Sequence, residues 1–332
     1  MFAKVTVSLC AGLTVWAASS SLAAGQPSSP SASGVQITQL TNRLRIEING
    51  QLFTEYYFKD VPRPYYYPLI GPGGAAMTRN WPMIDIPGEE RDDHPHHRSL
   101  WFGHGGVNGQ DFWDEKPSCG RIVHDSFKTI KSGKEFGLIR SRDSWIAKDG
   151  AVVCTDDRTM RIYKPEQADA RMFDFEVTLH ASHGALTLDD TKEGTMAVRL
   201  AQTIVLRGQF GQGHILNSRG LRDDATWGKR ADWCDYYGPV GGNMVGIAIF
   251  DHPQNPRHPT WWHVRDYGLF AANPFGQHDF ENLADKTAGN MTIPAGQSVT
   301  FRYRFYLHAG DSEQAEVARH YQDYLQTVSK PK

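Results

Sequence analysis

Residues 35–58 read VQITQLTNRLRIEINGQLFTEYYF, a segment in which apolar and polar side chains alternate over most of its length. Because successive side chains of a β-strand point to opposite faces, this alternation predicts strands with one buried face. The dipeptide Asn49-Gly50 separates two of the alternating runs and favours the tight turn of a β-hairpin. The segment therefore predicts that the domain begins as an antiparallel sheet.

The same pattern recurs along the chain, where turn residues separate most of the alternating runs and no strong helical period lies between them. The predicted strands are 121–130, 135–147, 151–163, 172–181, 196–206, 244–251, 261–270 and 298–308. Apolar residues recur at helical spacing only near the C-terminus, from Val317 to Val328, where Asp311 or Ser312 can cap a helix. The sequence thus predicts an all-β fold, a large sandwich or a barrel, with one C-terminal helix.

The N-terminal residues 1–24 have the composition of a secretory signal peptide, with Lys4 before an apolar run and small residues up to Ala24. Residues 25–34 are rich in Ser, Pro and Gly, which predicts a flexible linker, and a single domain is predicted over residues 35–330. We therefore expect a secreted or periplasmic protein. No run of about 18 apolar residues follows the signal segment, so no membrane span is expected.

Composition argues against several classes of partner. The 332 residues carry a formal net charge of −2 at pH 7, which disfavours nucleic acid and anionic membrane surfaces. Nine Trp and thirteen Tyr residues suit a carbohydrate ligand, because the apolar faces of sugars stack on aromatic rings. Ordinary packing in the core is the other use of such rings.

Four of the fourteen histidines lie within residues 94–104, and carboxylates, amides and aromatic side chains flank them. Clustered titratable groups mark functional clefts, so this segment predicts a site. In a strand, His94 and His96 would share a face and could bind a metal ion. His97 would face the other way unless the backbone bulges, and Pro95 favours such an irregular edge. The competing interpretation is direct sugar contact or proton transfer by an imidazole.

Polar residues elsewhere extend the candidate site. Asn108 and Asp111 follow the histidines closely. If residues 193–199 enter a strand, Glu193 and Arg199 lie on one side and could serve as an acid/base and as a clamp for a hydroxyl or a carboxylate. The alternative for Glu193 and Arg199 is a solvated strand edge that carries a surface ion pair.

Two more segments combine charge with aromatic rings. Trp227, Lys229 and Arg230 lie close together in a stretch that suits a sugar subsite, with rings for the apolar sugar face and charges for its hydroxyls. Further on, His263 and Arg265 are predicted to share one face of a strand whose other face belongs to the core. That face is either ordinary surface or part of a cleft.

Taken together, these segments resemble the DUF6807 family, whose members are often labelled as methane oxygenase PmoA proteins. The resemblance covers roughly residues 35–310. It rests on Arg63-Pro64-Tyr65, on Asp93-His94-Pro95-His96-His97-Arg98-Ser99-Leu100-Trp101-Phe102, on residues 107–113, on Lys192-Glu193-Gly194 with Arg199, on Trp227-Gly228-Lys229-Arg230, and on residues 262–268 and 273–276. It implies a β-sandwich similar to the galactose-mutarotase-like supersandwich of sugar epimerases and polysaccharide-active enzymes.

The leading hypothesis is a carbohydrate-active enzyme that acts on a glycoside by acid/base catalysis, through hydrolysis, β-elimination or epimerisation. The expected catalytic residues are His96, His97, Glu193, Arg199 and His263, and the expected substrate-binding residues are Asn108, Asp111, Trp227, Lys229, Arg230 and Arg265. One alternative is a non-catalytic sugar-binding module. The other is a metal-dependent oxygenase or lyase with a divalent metal on His94 and His96. A membrane methane oxygenase is not expected, because such a subunit needs long apolar spans.

Overall fold

The computed structural model describes residues 1–2, 33–89, 91 and 94–328. Residues 3–24 of the predicted signal peptide and residues 25–32 of the predicted linker therefore lie outside the described residues. Residues 33–328, where described, belong to one compact unit. Its strands are β1 (Val35–Gln39), β2 (Arg43–Ile48), β3 (Gln51–Tyr57), β4 (Tyr65–Tyr66), β5 (Leu100–His104), β6 (Arg121–Lys131), β7 (Phe136–Ile146), β8 (Val152–Tyr163), β9 (Ala170–His180), β10 (Leu186–Leu188), β11 (Gly194–Arg199), β12 (His214–Asn217), β13 (Trp233–Val240), β14 (Asn243–Asp251), β15 (Trp261–Val264), β16 (Leu269–Asn273), β17 (Met291–Ile293) and β18 (Ser298–Ala309). Its helices are α1 (Gln277–Glu281) and α2 (Val317–Val328), with 3-10 turns at Pro72–Gly74 and Asp223–Thr226.

Two eight-stranded antiparallel sheets form the body of the unit. The front sheet has the strand order β1-β2-β3-β4-β5-β11-β16-β15, and the back sheet has the order β12-β13-β14-β18-β9-β8-β7-β6. A small ladder of β10 and β17 stands beside them. The predicted all-β sandwich is confirmed.

Aromatic contacts between the sheets fix the sandwich core. Phe53 of the front sheet meets Phe173 of the back sheet edge to face, with ring centroids 5.8 Å apart, and Phe102 packs against Phe301 at 6.1 Å. These rings belong to one large cluster of buried apolar side chains. Burial of such area is the dominant favourable contribution to folding.

The front sheet also has a covered outer face. Along β11, Met196 and Val198 belong to the core between the sheets, whereas Ala197 packs with Trp101 and Trp113 in a separate cluster. Because strand side chains alternate, the two clusters lie on opposite faces of the same sheet. The candidate site lies next to this outer cluster, and Trp113 belongs to both.

Local patterns predicted several elements correctly. The hairpin at Asn49-Gly50 is present between β2 and β3, and both turn residues have positive φ, 51° and 76°. The long strands of the back sheet lie within a few residues of their predicted bounds. The predicted strand 196–206 instead ends at Arg199, and the predicted strand 261–270 is a hairpin of β15 and β16. Gly268 allows that turn with a φ of 93°.

Other strands escaped prediction because they are buried on both faces. Every residue of β5 is buried, and so are the first six residues of β13. A strand with two covered faces loses the alternation of apolar and polar residues that identifies a half-exposed strand. Burial in the tertiary structure therefore hid these strands from pattern analysis.

The predicted C-terminal helix is confirmed as α2, although it starts later than its expected caps. Asp311 Oδ1 accepts hydrogen bonds from the backbone N–H groups of Glu313 and Gln314 at 3.0 and 2.8 Å, which closes a turn before the helix. Ser312 donates to Asp235 instead of capping. The short helix α1 was not predicted. No helix in the described part of the chain is long and apolar enough to cross a membrane.

Candidate functional site

A cleft of about 590 Å³ opens on the outer side of the front sheet. Its volume lies in the range of pockets that hold small molecules. Its lining combines imidazoles, carboxylates, an indole and an ammonium group. The lining residues are His94, Pro95, His96, Asp111, Trp113, Asp114, Glu115, Lys116 and Glu193.

Strand pairing brings the two halves of the cleft together. β5 pairs with β11 so that His104 lies opposite Gly194, and Gly105 N–H donates to the carbonyl oxygen of Glu193 at 2.7 Å. A Cβ atom on Gly105 would lie 2.9 Å from the Cβ of Glu193, so glycine is needed for this close approach. The carboxyl of Glu193 is thereby placed in the same cleft as the histidine segment.

The histidine segment is a turn and not a regular strand, so the side-chain alternation of a strand does not apply to it. Residues 95 and 96 form a turn before β5, where Pro95 has no N–H for a ladder. The ring centroids of His94 and His97 lie 4.7 Å apart in a stacked pair, and those of His96 and His97 lie 4.4 Å apart. All three imidazoles therefore gather on one side, instead of His97 facing away.

Three buried arginines hold the turn, two through its backbone carbonyl groups and one through the ring of His97. Arg63, which is 2% exposed, donates to the carbonyl oxygen of His96. Arg79 donates to the carbonyl oxygen of His94 at 2.8 Å. Arg199 Nη1 donates to His97 Nδ1 at 3.2 Å. Carbonyl groups that leave water need such partners, and these bonds fix the imidazoles in place.

Burial and nearby cations keep two of the imidazoles neutral. Desolvation, and then the positive charge of Arg63, lower the pKa of His96 to about 4. The pKa of His97 lies well below its ordinary value, chiefly through burial, with further lowering by His96 and Arg199. A neutral imidazole can accept a proton at working pH, so His96 on the cleft wall is a candidate base.

Glu193 differs from the other cleft carboxylates in its environment. Its side chain is half-buried, and burial raises its pKa above the ordinary value of 4.5, with Lys192 lowering it in part. Among the described residues, no hydrogen-bond or ion-pair partner reaches this carboxyl group. A raised pKa and a free carboxyl group in a cleft are typical of a proton-transfer residue.

The other carboxylates of the cleft have partners. Asp111 Oδ1 accepts the backbone N–H groups of Trp113 and Asp114 at 2.7 and 3.1 Å. Asp114 pairs with Lys116 at 2.6 Å, and its oxygen lies 3.6 Å from Nδ1 of His96. Asp111 therefore lines the cleft, as its predicted substrate-binding role requires, while it also closes a turn.

Glu115 joins two arginines beneath the cleft. It accepts two parallel bonds from Arg98 at 2.8 Å and lies 3.4 Å from Nη2 of Arg63. Bidentate pairs of this kind are among the strongest charge-assisted hydrogen bonds. Glu115 is therefore occupied as a structural anion.

Of the six predicted substrate-binding residues, only Asp111 lines the cleft. The amide of Asn108 bonds to backbone atoms of Ala185 and Thr187 at 3.0 and 2.7 Å. Arg230 donates to two backbone carbonyls of the 257–259 turn at 2.8 and 2.9 Å. Lys229 is exposed. Backbone atoms are the hydrogen-bond partners of the Asn108 and Arg230 side chains.

His263 lies on β15 and Arg265 directly follows that strand, whereas Trp262 belongs to the core. His263 is buried and its Nδ1 donates to the carbonyl oxygen of Lys192 at 2.6 Å. Desolvation lowers its pKa to about 4. Because it bonds the residue before Glu193, His263 positions that carboxyl segment, and it is not part of the cleft lining.

Trp227 and Arg265 stand together beside a second, smaller hollow. The guanidinium carbon of Arg265 lies 5.8 Å from the ring centroid of Trp227, and both residues line that hollow. Arg199, behind the histidines, is 3% exposed and lies 4.6 Å from the ring centroid of Tyr267. It supports the site from beneath.

Pattern analysis missed Tyr267 and Lys116. Tyr267 stacks on His94 at 5.4 Å, but it lies in the β15–β16 turn, which was predicted as strand. Lys116 lines the cleft without any sequence signal beyond its charge. The predicted metal pair, His94 and His96, has ring centroids 5.7 Å apart. Within the described ranges, no group of three or more His, Cys, Asp or Glu side chains is placed to hold a metal ion.

The fold and the cleft define a β-sandwich protein with a polar, histidine-lined cleft on one sheet. Residues 43–322 match the family model described as a family of unknown function, DUF6807, and the chain belongs to that family. No curated protein matches the chain.

Solved structures show distant similarity over most of the chain. A galactose mutarotase related enzyme from Lactobacillus acidophilus is 8% identical, with a TM-score of 0.34 over 83% of this chain and 97% of that chain. The galactosidase domain of an alpha-galactosidase–sucrose kinase is 7% identical, with a TM-score of 0.38 over 84% of this chain and 41% of that chain. A 4-alpha-glucanotransferase from Thermococcus litoralis is 10% identical, with a TM-score of 0.27 over 82% of this chain and 39% of that chain. This chain thus spans about two fifths of the last two proteins.

Proposed function

We propose that the protein is a carbohydrate-active enzyme that binds a sugar in the cleft and moves protons between the sugar, Glu193 and His96. The proposal rests on the carboxyl group of Glu193. This group is half-buried, has a raised pKa and has no hydrogen-bond or ion-pair partner among the described residues. It lines the same cleft as the neutral imidazole of His96. The leader-like segment 1–24 adds the proposal that the enzyme works in the periplasm or outside the cell.

The lining of the cleft suits a polyhydroxylated ligand. Trp113 offers an aromatic surface, while Lys116 and Asp114 offer a donor and an acceptor close together. Sugar rings carry apolar C–H faces and hydroxyl rims, so they need this mixture of partners. A purely apolar ligand would leave these charged groups without hydration.

The pKa shifts assign the two proton-transfer roles. The pKa of His96 is lowered to about 4, and the pKa of Glu193 is raised above 4.5 by burial. Both shifts favour the uncharged form, so burial favours a protonated Glu193 together with a neutral His96. Glu193 therefore acts as the general acid and His96 as the general base in the first proton transfer.

A carboxyl group and an imidazole in one cleft suit several sugar reactions. Two-carboxylate glycoside hydrolysis needs a second carboxylate beside Glu193. Asp114 and Glu115 are engaged by cations, and Asp111, which accepts two backbone N–H groups, is the carboxylate that remains for that role. In ring opening, His96 removes the proton of the anomeric hydroxyl, the C1–O5 bond breaks as the C1=O bond forms, and Glu193 protonates the released ring oxygen; closure on the other face completes epimerisation at C1. In β-elimination, His96 removes a proton from a ring carbon next to a carbonyl or carboxylate group, a C=C bond forms, and the C–O bond to the leaving group breaks as Glu193 protonates the leaving oxygen.

The test is a screen of free sugars, glycosides, uronides and oxidised glycosides, with products followed by mass spectrometry and NMR. We expect Glu193→Gln to lower turnover by about 100-fold or more, while calorimetry still detects sugar binding. Asp189→Asn is the matched control, because Asp189 is also half-buried with a pKa raised by burial but does not line the cleft. Wild-type turnover in Glu193→Gln would contradict the proposal. Sugar binding without any turnover by the wild type would instead identify a binding module.

A further inference from the structure

A second hollow of about 220 Å³ lies near the cleft, on the side of β15. Its size is that of a single sugar unit. It combines an indole, aliphatic side chains, a guanidinium and carboxylates. The lining residues are Ile215, Asp223, Asp224, Trp227, Val264, Arg265 and Asp266.

Arg265 brings unused hydrogen-bond donors to this hollow. Its guanidinium carbon lies 5.8 Å from the ring centroid of Trp227 and 5.4 Å from that of Tyr267. Among the described residues, no carboxylate pairs with it. Stacking on two rings holds the planar group in place while its N–H groups stay available. A hydroxyl or ring oxygen of a ligand can accept from them.

The carboxylates of the hollow are only partly used. Asp223 Oδ1 accepts the backbone N–H of Ile215 at 2.9 Å. Arg207 bonds Asp224 and reaches Asp266 at 3.4 Å. Each carboxylate has further lone pairs for ligand hydroxyl groups. Three carboxylates against two arginines, Arg265 and Arg207, leave a net negative charge at the hollow, which disfavours an acidic sugar and suits a neutral one.

Two rows of contacts connect the hollow to the catalytic cleft. On one side, Tyr267 stacks on His94 at 5.4 Å and also lies under Arg265. On the other side, the ring of His263 lies 6.3 Å from that of Trp227, and His263 bonds the carbonyl of Lys192, next to Glu193. Side chains in contact with one another therefore link the two hollows.

We propose that the Trp227–Arg265 hollow is a second sugar subsite that binds a neutral saccharide unit of an extended substrate. The proposal rests on the proposed function of the cleft. One sugar lies beside Glu193 and His96, and a further neutral unit lies against Trp227. The half-buried indole offers apolar surface to the sugar C–H face, while Arg265 and the carboxylates take its hydroxyls. The substrate class is then a neutral oligosaccharide or a glycoside extended by a neutral sugar.

The test measures binding against chain length by calorimetry, with Glu193→Gln as the background. The probes are malto-, cello- and galacto-oligosaccharides of one to five units, and oligogalacturonides of the same lengths. We expect affinity to rise from the single sugar to the longer neutral chains. Trp227→Ala should weaken binding of the longer chains by about 10-fold and leave the single sugar unchanged.

Phe136→Ala is the matched control, because the half-buried Phe136 also carries an arginine, Arg161, at 4.2 Å, but on the back sheet. Arg265→Gln is the second variant. Since Arg265 has no ion pair among the described residues, its loss should spare folding, checked by circular dichroism, and still weaken the longer chains.

Two results would overturn the subsite. One is equal weakening of single and longer sugars, or no weakening, in both Trp227→Ala and Arg265→Gln. The other is tighter binding of the galacturonides than of the neutral chains. Either result leaves the effect of Glu193→Gln on turnover intact, so the two proposals fail separately. If the wild type binds none of these probes, both are wrong.

Discussion

Glu115 shows how a single residue fixes the site from beneath. Its carboxylate is 10% exposed and meets both Arg98 and Arg63, and Arg63 in turn holds the carbonyl of His96. One acidic side chain therefore neutralises two largely buried cations, and one of these cations, Arg63, also holds the histidine turn. Breaking a buried pair from one side leaves charge without compensation.

We expect Glu115→Ala to lower the free energy of unfolding by about 3 kcal/mol, because two buried guanidinium groups lose their anion. Urea denaturation followed by fluorescence measures the change. Asp85→Ala is the control, since Asp85 pairs with Arg91 on the surface, where both side chains are about half exposed, and its loss should cost less than about 1 kcal/mol. Equal losses of unfolding free energy in the two variants would show that the ion pairs of Glu115 stabilise the fold no more than a surface pair does.

Also at this scale, the acid/base assignment predicts a bell-shaped pH profile of kcat/KM. Activity should fall below about pH 4, where His96 becomes protonated, and should fall again as pH rises through the raised pKa of Glu193, where the acid loses its proton. Steady-state rates from pH 3.5 to 8 with an active substrate measure the profile. Activity that stays constant or rises from pH 5 to 8 would reverse the roles of the two groups.

Among the elements, α2 covers the outer face of the back sheet. Val317, Tyr321 and Tyr324 are buried on it, and the ring of Tyr321 meets that of Phe250 edge to face at 5.5 Å. The helix has a strongly one-sided distribution of apolar residues. Its packing replaces solvent on a sheet face that would otherwise expose aromatic surface.

Tyr324→Ala should therefore lower the free energy of unfolding by about 3 kcal/mol, as removal of a buried aromatic ring leaves a cavity. The ring is 3% exposed and lies 4.5 Å from the guanidinium carbon of Arg304. Gln322→Ala, on the exposed side of the same helix, is the control and should change stability little. A loss below about 1 kcal/mol in Tyr324→Ala would mean that α2 is loosely attached.

For the whole molecule, buried histidines couple folding to pH. Burial lowers the pKa of four of them from 6.5 to about 4. These four are His96, His104, His252 and His263. Between pH 6.5 and 4 the unfolded chain binds protons that the folded protein excludes, so acid favours unfolding. Burial raises the pKa of Asp143 to about 6, and the pKa values of Asp189, Glu193, Asp251 and His308 are raised as well, which opposes the effect. The lowered pKa values of His97 and His320 add to the effect of the four histidines, so we expect acid destabilisation to prevail.

We expect the melting temperature to fall as pH is lowered from 7 to 4.5, with about 1–2 kcal/mol lost per buried histidine at pH 5. Scanning calorimetry over this range measures the slope. His252→Asn should make the slope shallower, because an asparagine oxygen can replace Nδ1 as acceptor of the Gln254 N–H without adding a titrating group. A melting temperature that is flat or rises toward pH 4.5 would contradict the linkage.

The chain by itself determined the local geometry. Alternation in residues 35–58 and the Asn49-Gly50 turn predicted the first hairpin, and alternation after Trp261 predicted that Trp262 faces the core, because the side-chain period of a strand is a local property of the backbone. Residue type and clustering also marked the histidine segment and Glu193 as polar groups without an obvious role in a core.

Only the tertiary structure decided which of these groups meet. Glu193 joins the histidines because β5 and β11 are neighbours, a pairing between residues about ninety positions apart that depends on how both sheets bury their faces. In the same packing, residues 94–97 form a turn whose imidazole rings contact one another. The side chains of Asn108 and Arg230 form hydrogen bonds with backbone carbonyl groups. Hydrogen-bond partners far along the chain, which no local pattern contains, decide whether a polar side chain is structural or free to act.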